Sequence, residues 1–335
     1  MPGVKDDLNR LLGFVGSMRF GLALLLLIGV TAAGAAAWFQ NGFSQSWLFR
    51  ALSMLLILNL ALCTWRRGKA VCLLQRHDGR VVVRLIALFV LHAGFLCIML
   101  GFLAGSFWGR DGLISLSRGE VAQASDVLGQ DRTFSLRLDD FRIDTYPDGA
   151  PAQYTSRLTL LDHSNNTGAF DVTVNHPLVY QGVKIYQESY GWAVTAVSGA
   201  QSPMNSPVTV KEGDSLSIPG AQFKIRLYRF IPDYDEASGM ESRSPQPRNP
   251  RIVYSVYEGD QLLDVGLAKL GQDVTINNDA HVRFTGYIPV STLRVKTDPG
   301  ALLVWIGGCL LLLGIFGALY QPLLTAKRDD READA

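Results

Sequence analysis

The sequence predicts a membrane protein with four transmembrane α-helices and a large extracytoplasmic all-β domain, a sandwich or open barrel, inserted between the third and fourth. Three observations lead there. First, the 335 residues are 48% apolar and only 18% charged, whereas a soluble domain carries about a quarter charged residues. Second, the deficit is local. Residues 109–298 hold 18 basic and 23 acidic side chains, and the remaining, greasier part holds 13 basic and 7 acidic ones. Third, long unbroken apolar runs flank a stretch in which apolar and polar residues alternate, which is the signature of half-buried strands. The apolar content excludes disorder. Four cysteines in so long a chain exclude a disulfide-stapled scaffold. The acidic balance of the polar part argues against nucleic acid as a partner, because it repels phosphate.

A membrane helix needs roughly 20 mostly apolar residues. Residues 20–39, 47–65 (with Arg50 and Asn59 inside), 85–108 and 299–320 meet that length. Trp38, Trp47, Trp65, Trp108, Trp305 and Tyr320 stand at or near their ends, where amphipathic rings sit at the headgroup level. Residues 66–84 carry Arg66, Arg67, Lys69, Arg76, Arg80 and Arg84 against Asp78 alone, and residues 40–46 carry no charge. Basic loops stay in the cytoplasm. The expected topology therefore has residues 1–19, 66–84 and 321–335 inside and 109–298 outside. An apolar run that continues through Trp38 and Phe39 favours an uncleaved first helix over a signal peptide cut after Ala35, Ala36 and Ala37.

In the inserted region, residues 134–144, 155–161, 169–174, 183–190, 223–230, 252–257 and 281–287 read as strands. Gly- and Asn-rich turns separate them, as at Asn165-Asn166-Thr167-Gly168 and Pro219-Gly220. Residues 134–144 resemble 223–233, and a third similar run begins at His281. Any two amphipathic strands share this alternation, so repeat and coincidence both stay open. Residues 235–250, with three prolines and Ser238-Gly239, read as a mobile exposed loop.

Few residues offer chemistry. The sequence has no phosphate-binding loop, nucleophile elbow, zinc-protease helix, dinucleotide fingerprint or c-type haem attachment motif. Its cysteines, Cys63, Cys72, Cys97 and Cys309, all lie outside 109–298. Thiol-disulfide chemistry is therefore not available to that domain. Of five histidines, His77, His163 and His281 read as loop, turn and strand-end residues. His176 precedes Pro177, which biases it towards an extended backbone; it reads as a strand-end turn or a weak ligand candidate.

His92 differs. It lies about 10 Å inside the third span at 1.5 Å per residue, where ionisable side chains are rare and face a partner or cavity. At 100° per residue Met99, Leu96 and Ser106 share its face, within about 40°. Gly94, Gly101 and Gly105 fall on the opposite side, and Gly101-Phe102-Leu103-Ala104-Gly105 permits close helix contact. One face is smooth for packing and the other presents an imidazole, either to a cofactor or partner or to a bond with another helix.

The chain resembles the ResB (CcsB-like) proteins of type II cytochrome c maturation. The resemblance rests on Leu58-Asn59-Leu60-Ala61-Leu62-Cys63-Thr64-Trp65-Arg66-Arg67, on Leu91-His92-Ala93-Gly94, and on Leu100-Gly101-Phe102-Leu103-Ala104-Gly105 followed by Asp111-Gly112. Further matches are Asn175-His176-Pro177-Leu178, Gly182-Val183-Lys184-Ile185-Tyr186-Gln187, Ser189-Tyr190-Gly191 and Asp298-Pro299-Gly300 with Trp305 and Gly307. The resemblance implies a multi-pass protein of the bacterial inner membrane. It implies a partner, a ResC/CcsA-like tryptophan-rich haem-handling protein, with which haem b is carried across and presented to apocytochrome c for thioether attachment. The six Trp here are scattered, so the resemblance makes this chain the non-catalytic subunit of that haem lyase. It also makes His92 an axial ligand of haem iron. One departure is the short loop 40–46. The alternative is a membrane-anchored extracytoplasmic scaffold for other envelope or redox proteins, without haem transport.

Overall fold

The structure, a computed structural model, describes residues 2–38, 46–72, 79–130, 133–162, 165–200, 206–277 and 280–333. The chain divides into a helical unit, formed by both ends of the sequence, and a β unit, Arg110–Thr297.

In the helical unit, α1 (Pro2–Val15) turns at Gly16-Ser17 into α2 (Met18–Trp38), followed by α3 (Trp47–Cys72), α4 (Gly79–Trp108) and α6 (Ala301–Ala333); α5 is a single turn in the β unit, Ser125–Leu128. Among the described residues four segments, Met18–Ala35, Trp47–Lys69, Val81–Trp108 and Ala301–Leu319, are long and apolar enough to cross a membrane. Three helices outrun their apolar stretches, α4 by starting at Gly79, ahead of Arg80 and Arg84. α3 carries Arg66 and Arg67 on regular helix, and α6 continues through residues expected as a tail. Arg and Lys are good helix formers, so the backbone ladder does not stop where the hydropathy does. The α1–α2 corner is held from α3. Asn59 donates Nδ2 to the Val15 and Ser17 carbonyls at 2.6 and 3.0 Å, and Arg66 donates to the Leu12 and Gly16 carbonyls at 3.0 and 3.2 Å. The Val15 and Gly16 carbonyls lie where one helix ends and the next begins, and a helix end leaves such groups without an internal partner; the Leu12 and Ser17 carbonyls also accept backbone N–H bonds from Gly16 and Gly21.

α4 and α6 run antiparallel along a seam of glycine. A Cβ at Gly94 would meet the Gly307 carbonyl oxygen at 2.7 Å, and one at Gly101 would meet the Gly300 carbonyl oxygen at 2.7 Å. A Cβ at Gly300 would collide with the backbone of Gly101, and at Gly314 it would lie 2.6 Å from the Leu91 nitrogen. The expected small-residue face of α4 is thus the contact face, although Gly105 sits outside the tight part of it. The opposite face, with Phe95, Leu96 and Met99, packs on Leu24 of α2 and on Leu52, Leu56 and Leu60 of α3.

Among the described residues the β unit has fourteen strands. β1 (Arg110–Ser117), β6 (Leu178–Tyr180), β7 (Val183–Gly199), β8 (Val208–Lys211), β13 (Asp273–Ile276) and β14 (Ala280–Thr297) form one sheet. β2 (Val121–Gln123), β3 (Ser135–Thr145), β4 (Pro151–Asp162) and β5 (Asn165–Thr173) form a second, and β9 (Ser215–Ser217), β10 (Phe223–Ile231), β11 (Arg251–Glu258) and β12 (Gln261–Lys269) a third. β7 and β14 pair along their whole length, from His281↔Gly199 to Thr297↔Val183. The result is two sandwiches sharing one wall rather than one sandwich or barrel. One core lies between this wall and the second sheet, around Phe134, Leu136, Leu158, Ile185 and Leu293. The other lies against the third sheet, around Trp192, Leu227, Phe230, Tyr254 and Phe284. Tyr190 packs on both, 5.2 Å from the Tyr154 ring and 6.4 Å from Trp192.

The unit is an internal duplication, β1–β7 and β8–β14. Ser117-Arg118-Gly119-Glu120 and Lys211-Glu212-Gly213-Asp214 are equivalent turns. Gly119 donates to Leu138 O at 2.7 Å and Gly213 to Leu227 O at 2.8 Å, and both glycines have positive φ, 82° and 89°. The pairing of β3 with β4 slips between Leu138 and Asp140, and that of β10 with β11 slips between Leu227 and Arg229. A second slip recurs at Leu160/Leu161 in β4 and Val256/Tyr257 in β11. Bulges do not arise from alternation alone, so their recurrence decides the question the sequence left open in favour of a repeat. The run at His281 is no third copy. It begins β14, whose counterpart is β7 and not β3. Each half also gives its first strand to the other half's last: β1 pairs with β14 and β8 with β7.

Residues 235–250 form the exposed loop the sequence predicts, and hydrogen bonds cross it. The Asp233 backbone N–H donates to Ser242 Oγ at 2.9 Å, Ser244 Oγ donates to the Asp233 carboxylate at 2.9 Å, and the Arg251 guanidinium lies over the Tyr234 ring.

Two tests follow from these contacts. Gly300→Ala is expected to destabilise the helical unit by about 1–3 kcal/mol or more, because backbone cannot yield to the added methyl. Gly308→Ala, which meets nothing within 4 Å, is expected to be neutral; thermal denaturation in detergent reads both, and equal behaviour would remove the seam from the account. The second test concerns the ion pair Lys211–Glu120, 2.9 Å, which joins the two equivalent turns. Partial burial pushes the Glu120 carboxyl up, but bonds from the Lys211 ammonium and the Ser117 N–H outweigh it and hold the group below the usual carboxylate range. A depressed folded-state value stabilises above the unfolded pKa and is lost as pH falls through the folded one. Glu120→Gln is therefore expected to cost about 0.5–1 kcal/mol near neutrality, the modest worth of an exposed pair. The difference from wild type should close as the pH is lowered through the carboxylate range, read by denaturant titration.

Candidate functional site

The packing of α4 sets the direction of His92. With Gly94 and Gly101 against α6, the imidazole on the other side looks towards α2 and α3. His92 Nδ1 lies 2.8 Å from the Leu88 carbonyl oxygen, one turn back on its own helix. A carbonyl oxygen only accepts, so Nδ1 carries the proton. Nε2 is then the deprotonated nitrogen, and it takes no hydrogen bond among the described residues. A ring whose Nδ1–H is fixed on a backbone carbonyl has the arrangement of a metal-ligating histidine. Of the two sequence readings, a bond to another helix is not the one the structure forms.

His92 lines a cavity of about 640 Å³ between α2, α3 and α4. Leu22, Leu25, Leu56, Leu60, Leu88 and Phe95 make apolar walls, and Gly21 thins one side where Asn59 passes. The polar lining is Asn59, Cys63, Arg66, Arg67 and His92. Asn59 and Arg66 are already bonded to the α1–α2 corner, and Cys63 Sγ lies 3.4 Å from the Gly16 carbonyl oxygen. A mostly apolar hollow with a few convergent polar groups is the usual form of a small-molecule site. This one offers a neutral nitrogen ligand, apolar walls for a flat body and cationic groups at the α3 end.

Sequence reasoning found His92 and missed the rest. It read Arg66 and Arg67 as topology signals in a loop, whereas they extend α3 along the line Asn59, Cys63, Arg66 and Arg67. That spacing of four, three and one places them near a single helical face, which was the signal available. His176 lies elsewhere, in the β unit. It is exposed in the turn between β5 and β6, donating its N–H to the Thr173 carbonyl at 3.1 Å, with Nδ1 3.3 Å from Thr173 Oγ1. Thr275 Oγ1 lies 3.2 Å from the His281 ring. Among the described residues no three His, Cys, Asp or Glu side chains cluster to hold a metal ion. His77, His163 and most of the loop 40–46 fall outside the described residues.

These features define a multi-pass membrane protein that carries a duplicated β unit and a histidine-lined cavity among its helices. The model of the ResB-like family matches residues 80–322, and the chain belongs to that family. It is similar to the cytochrome c biogenesis protein CcsB of Synechococcus sp. (strain JA-3-3Ab), 28% identical over 244 residues, 68% of this chain and 48% of the relative. It is also similar to CcsB of Paulinella chromatophora, 28% identical over 259 residues, 72% of this chain and 56% of the relative. The chain thus spans about half the length of the curated relatives it matches. Among solved structures, the cytochrome c haem lyase CcmF aligns with 91% of this chain and 35% of its own, at 13% identity and a TM-score of 0.33, too remote to bear on fold or site.

The tautomer can be checked directly. In full-length protein labelled with 15N-histidine, the His92 signals are expected to be those of a neutral ring protonated at Nδ1. A ring protonated at Nε2 would contradict the Leu88 bond.

Proposed function

We propose that the chain works in cytochrome c biogenesis as a ResB-like subunit that holds haem in the membrane, with the His92 Nε2 as an axial ligand of the iron. The observation that carries the reading is the free Nε2 of a ring fixed by Leu88 and facing a largely apolar cavity. A neutral imidazole is a suitable haem ligand, and an apolar, water-poor surround protects reduced iron. Family membership supports the pathway, and the names of the CcsB relatives agree with it. The haem is haem b in transit. The partner is a ResC/CcsA-like, tryptophan-rich membrane protein, and the acceptor is apocytochrome c. Both termini lie in the cytoplasm and the β unit on the outer side of the bacterial inner membrane, as the charge of residues 66–84 supports. His176 stays outside the site in this reading.

The chain's residues bind and orient the haem; bond formation to the cytochrome thiols belongs to the complex. The full chain, purified with its tryptophan-rich partner, is expected to show a haem absorption band. His92→Ala should lower haem content by about tenfold, the scale on which disturbed metal sites lose affinity, and added imidazole should restore it. Equal haem in wild type and His92→Ala would end the ligand assignment. Normal cytochrome c levels after deletion of the chain would favour the scaffold alternative, and a reporter fused within 110–297 that reads as cytoplasmic would overturn the topology.

A further inference from the structure

Arg66 and Arg67 are neighbours on α3 and line the same cavity, but they are not equivalent. Arg66 is exposed and its guanidinium is engaged by the Leu12 and Gly16 carbonyls. Arg67 is half-buried and makes no hydrogen bond or ion pair among the described residues. It lies near enough to His92 for its charge to act on that ring. A guanidinium has five donors and no acceptor, and a partly desolvated one calls for an anion or a fan of carbonyls. The cavity supplies neither: no Asp or Glu is among its lining residues, and the nearby α1 carbonyls are taken by Arg66 and Asn59. The apolar walls of the cavity are mostly leucine, with Phe95.

We infer that Arg67 anchors an acidic group of the ligand whose body sits at His92. The ligand class is a flat, apolar, metal-bearing molecule with peripheral carboxylates. This rests on the reading of the cavity as a haem site, where the acidic group is a haem propionate. Arg67 acts here as a positioning residue: it fixes which edge of the ring points towards the α3 end and so how the iron meets Nε2. The other source of an anion in this setting is a phospholipid headgroup, which has the same complementarity to a guanidinium. The apolar walls and the imidazole favour the porphyrin carboxylate.

The test uses the full chain in nanodiscs of neutral phosphatidylcholine, titrated separately with haem and with haem dimethyl ester, whose carboxylates are blocked. Wild type is expected to bind the ester about tenfold more weakly than haem, in keeping with loss of one partner of a charge-assisted pair. Arg67→Gln should weaken haem by the same factor and leave the ester unchanged, which also shows that the variant folds. Arg67→Lys should recover part of the preference, and Gly308→Ala, outside the cavity lining, should keep the wild-type haem-to-ester ratio. An equal ratio in wild type and Arg67→Gln overturns the proposal. So does a result in which Arg67→Gln abolishes binding of anionic phosphatidylglycerol while the ratio stays unchanged, because the anion is then lipid. The haem reading fails separately. If His92→Ala leaves the haem spectrum of the wild type unaltered, or wild type binds neither porphyrin, the site itself is wrong. If His92 is needed and the ratio is indifferent to Arg67, only the anchor is wrong.

Discussion

The backbone-to-backbone contact of α4 with α6 is the constraint from which the helical unit follows. Helices in lipid gain little from burying apolar surface, because the surrounding tails are equally apolar, so close packing has to bind them. Gly94, Gly101, Gly300, Gly307 and Gly314 permit an approach that any side chain would block. Such a seam admits one rotation of α4 about its axis. That rotation sends His92 to the far side, where it lines a cavity with α2 and α3. A ring in this position must satisfy one nitrogen locally, and the Leu88 carbonyl does so. The other nitrogen is left for whatever occupies the cavity. The imidazole's orientation is thus a consequence of glycines that never touch it.

The β unit obeys a different constraint. Neither half closes its own sheet: β1 is paired by β14 and β8 by β7, so each half is completed by the other. The long β7–β14 ribbon is the common wall of both cores, and Tyr190 spans the joint between them. A satisfied polar cluster joins this ribbon to β4. Ser156 Oγ donates to the Gln187 side-chain oxygen at 2.6 Å and lies 2.6 Å from Ser291 Oγ. A buried network with its partners in place specifies register as well as adding stability. Residues Arg110 and Thr297, where the chain enters and leaves the unit, are paired neighbours, so an insertion between two packed helices needs no long linker.

The helices were legible because lipid imposes a length and an apolar composition that sequence displays directly, and the face of α4 was legible because glycine at helical spacing has few other uses. The strands were legible where one side is buried and the other wet, as in β3 and β10. They were not legible where both sides are exposed, as in β12, or where three residues suffice, as in β2, β6 and β9. The repeat was visible only at 134–144 and 223–233, since β-sandwich duplicates keep bulge positions and turn bonds longer than they keep side chains. Residues 235–250 were legible as an exposed loop from proline and serine, while the Asp233, Ser242 and Ser244 bonds that cross it were not, because they depend on residues meeting across the loop.

The sequence by itself determined the number of apolar spans, the alternating character of residues 110–297, the family and the prominence of His92. These are properties of composition and short-range period, which the solvent on each side of the chain selects residue by residue. Only the tertiary structure decided that the β unit is a pair of sandwiches exchanging their first strands, that Arg66 is engaged while Arg67 is not, and that Nε2 rather than Nδ1 faces the cavity. Each of those depends on which atoms of distant segments come within about 3 Å of one another, the reach of a hydrogen bond, and no local pattern encodes that distance.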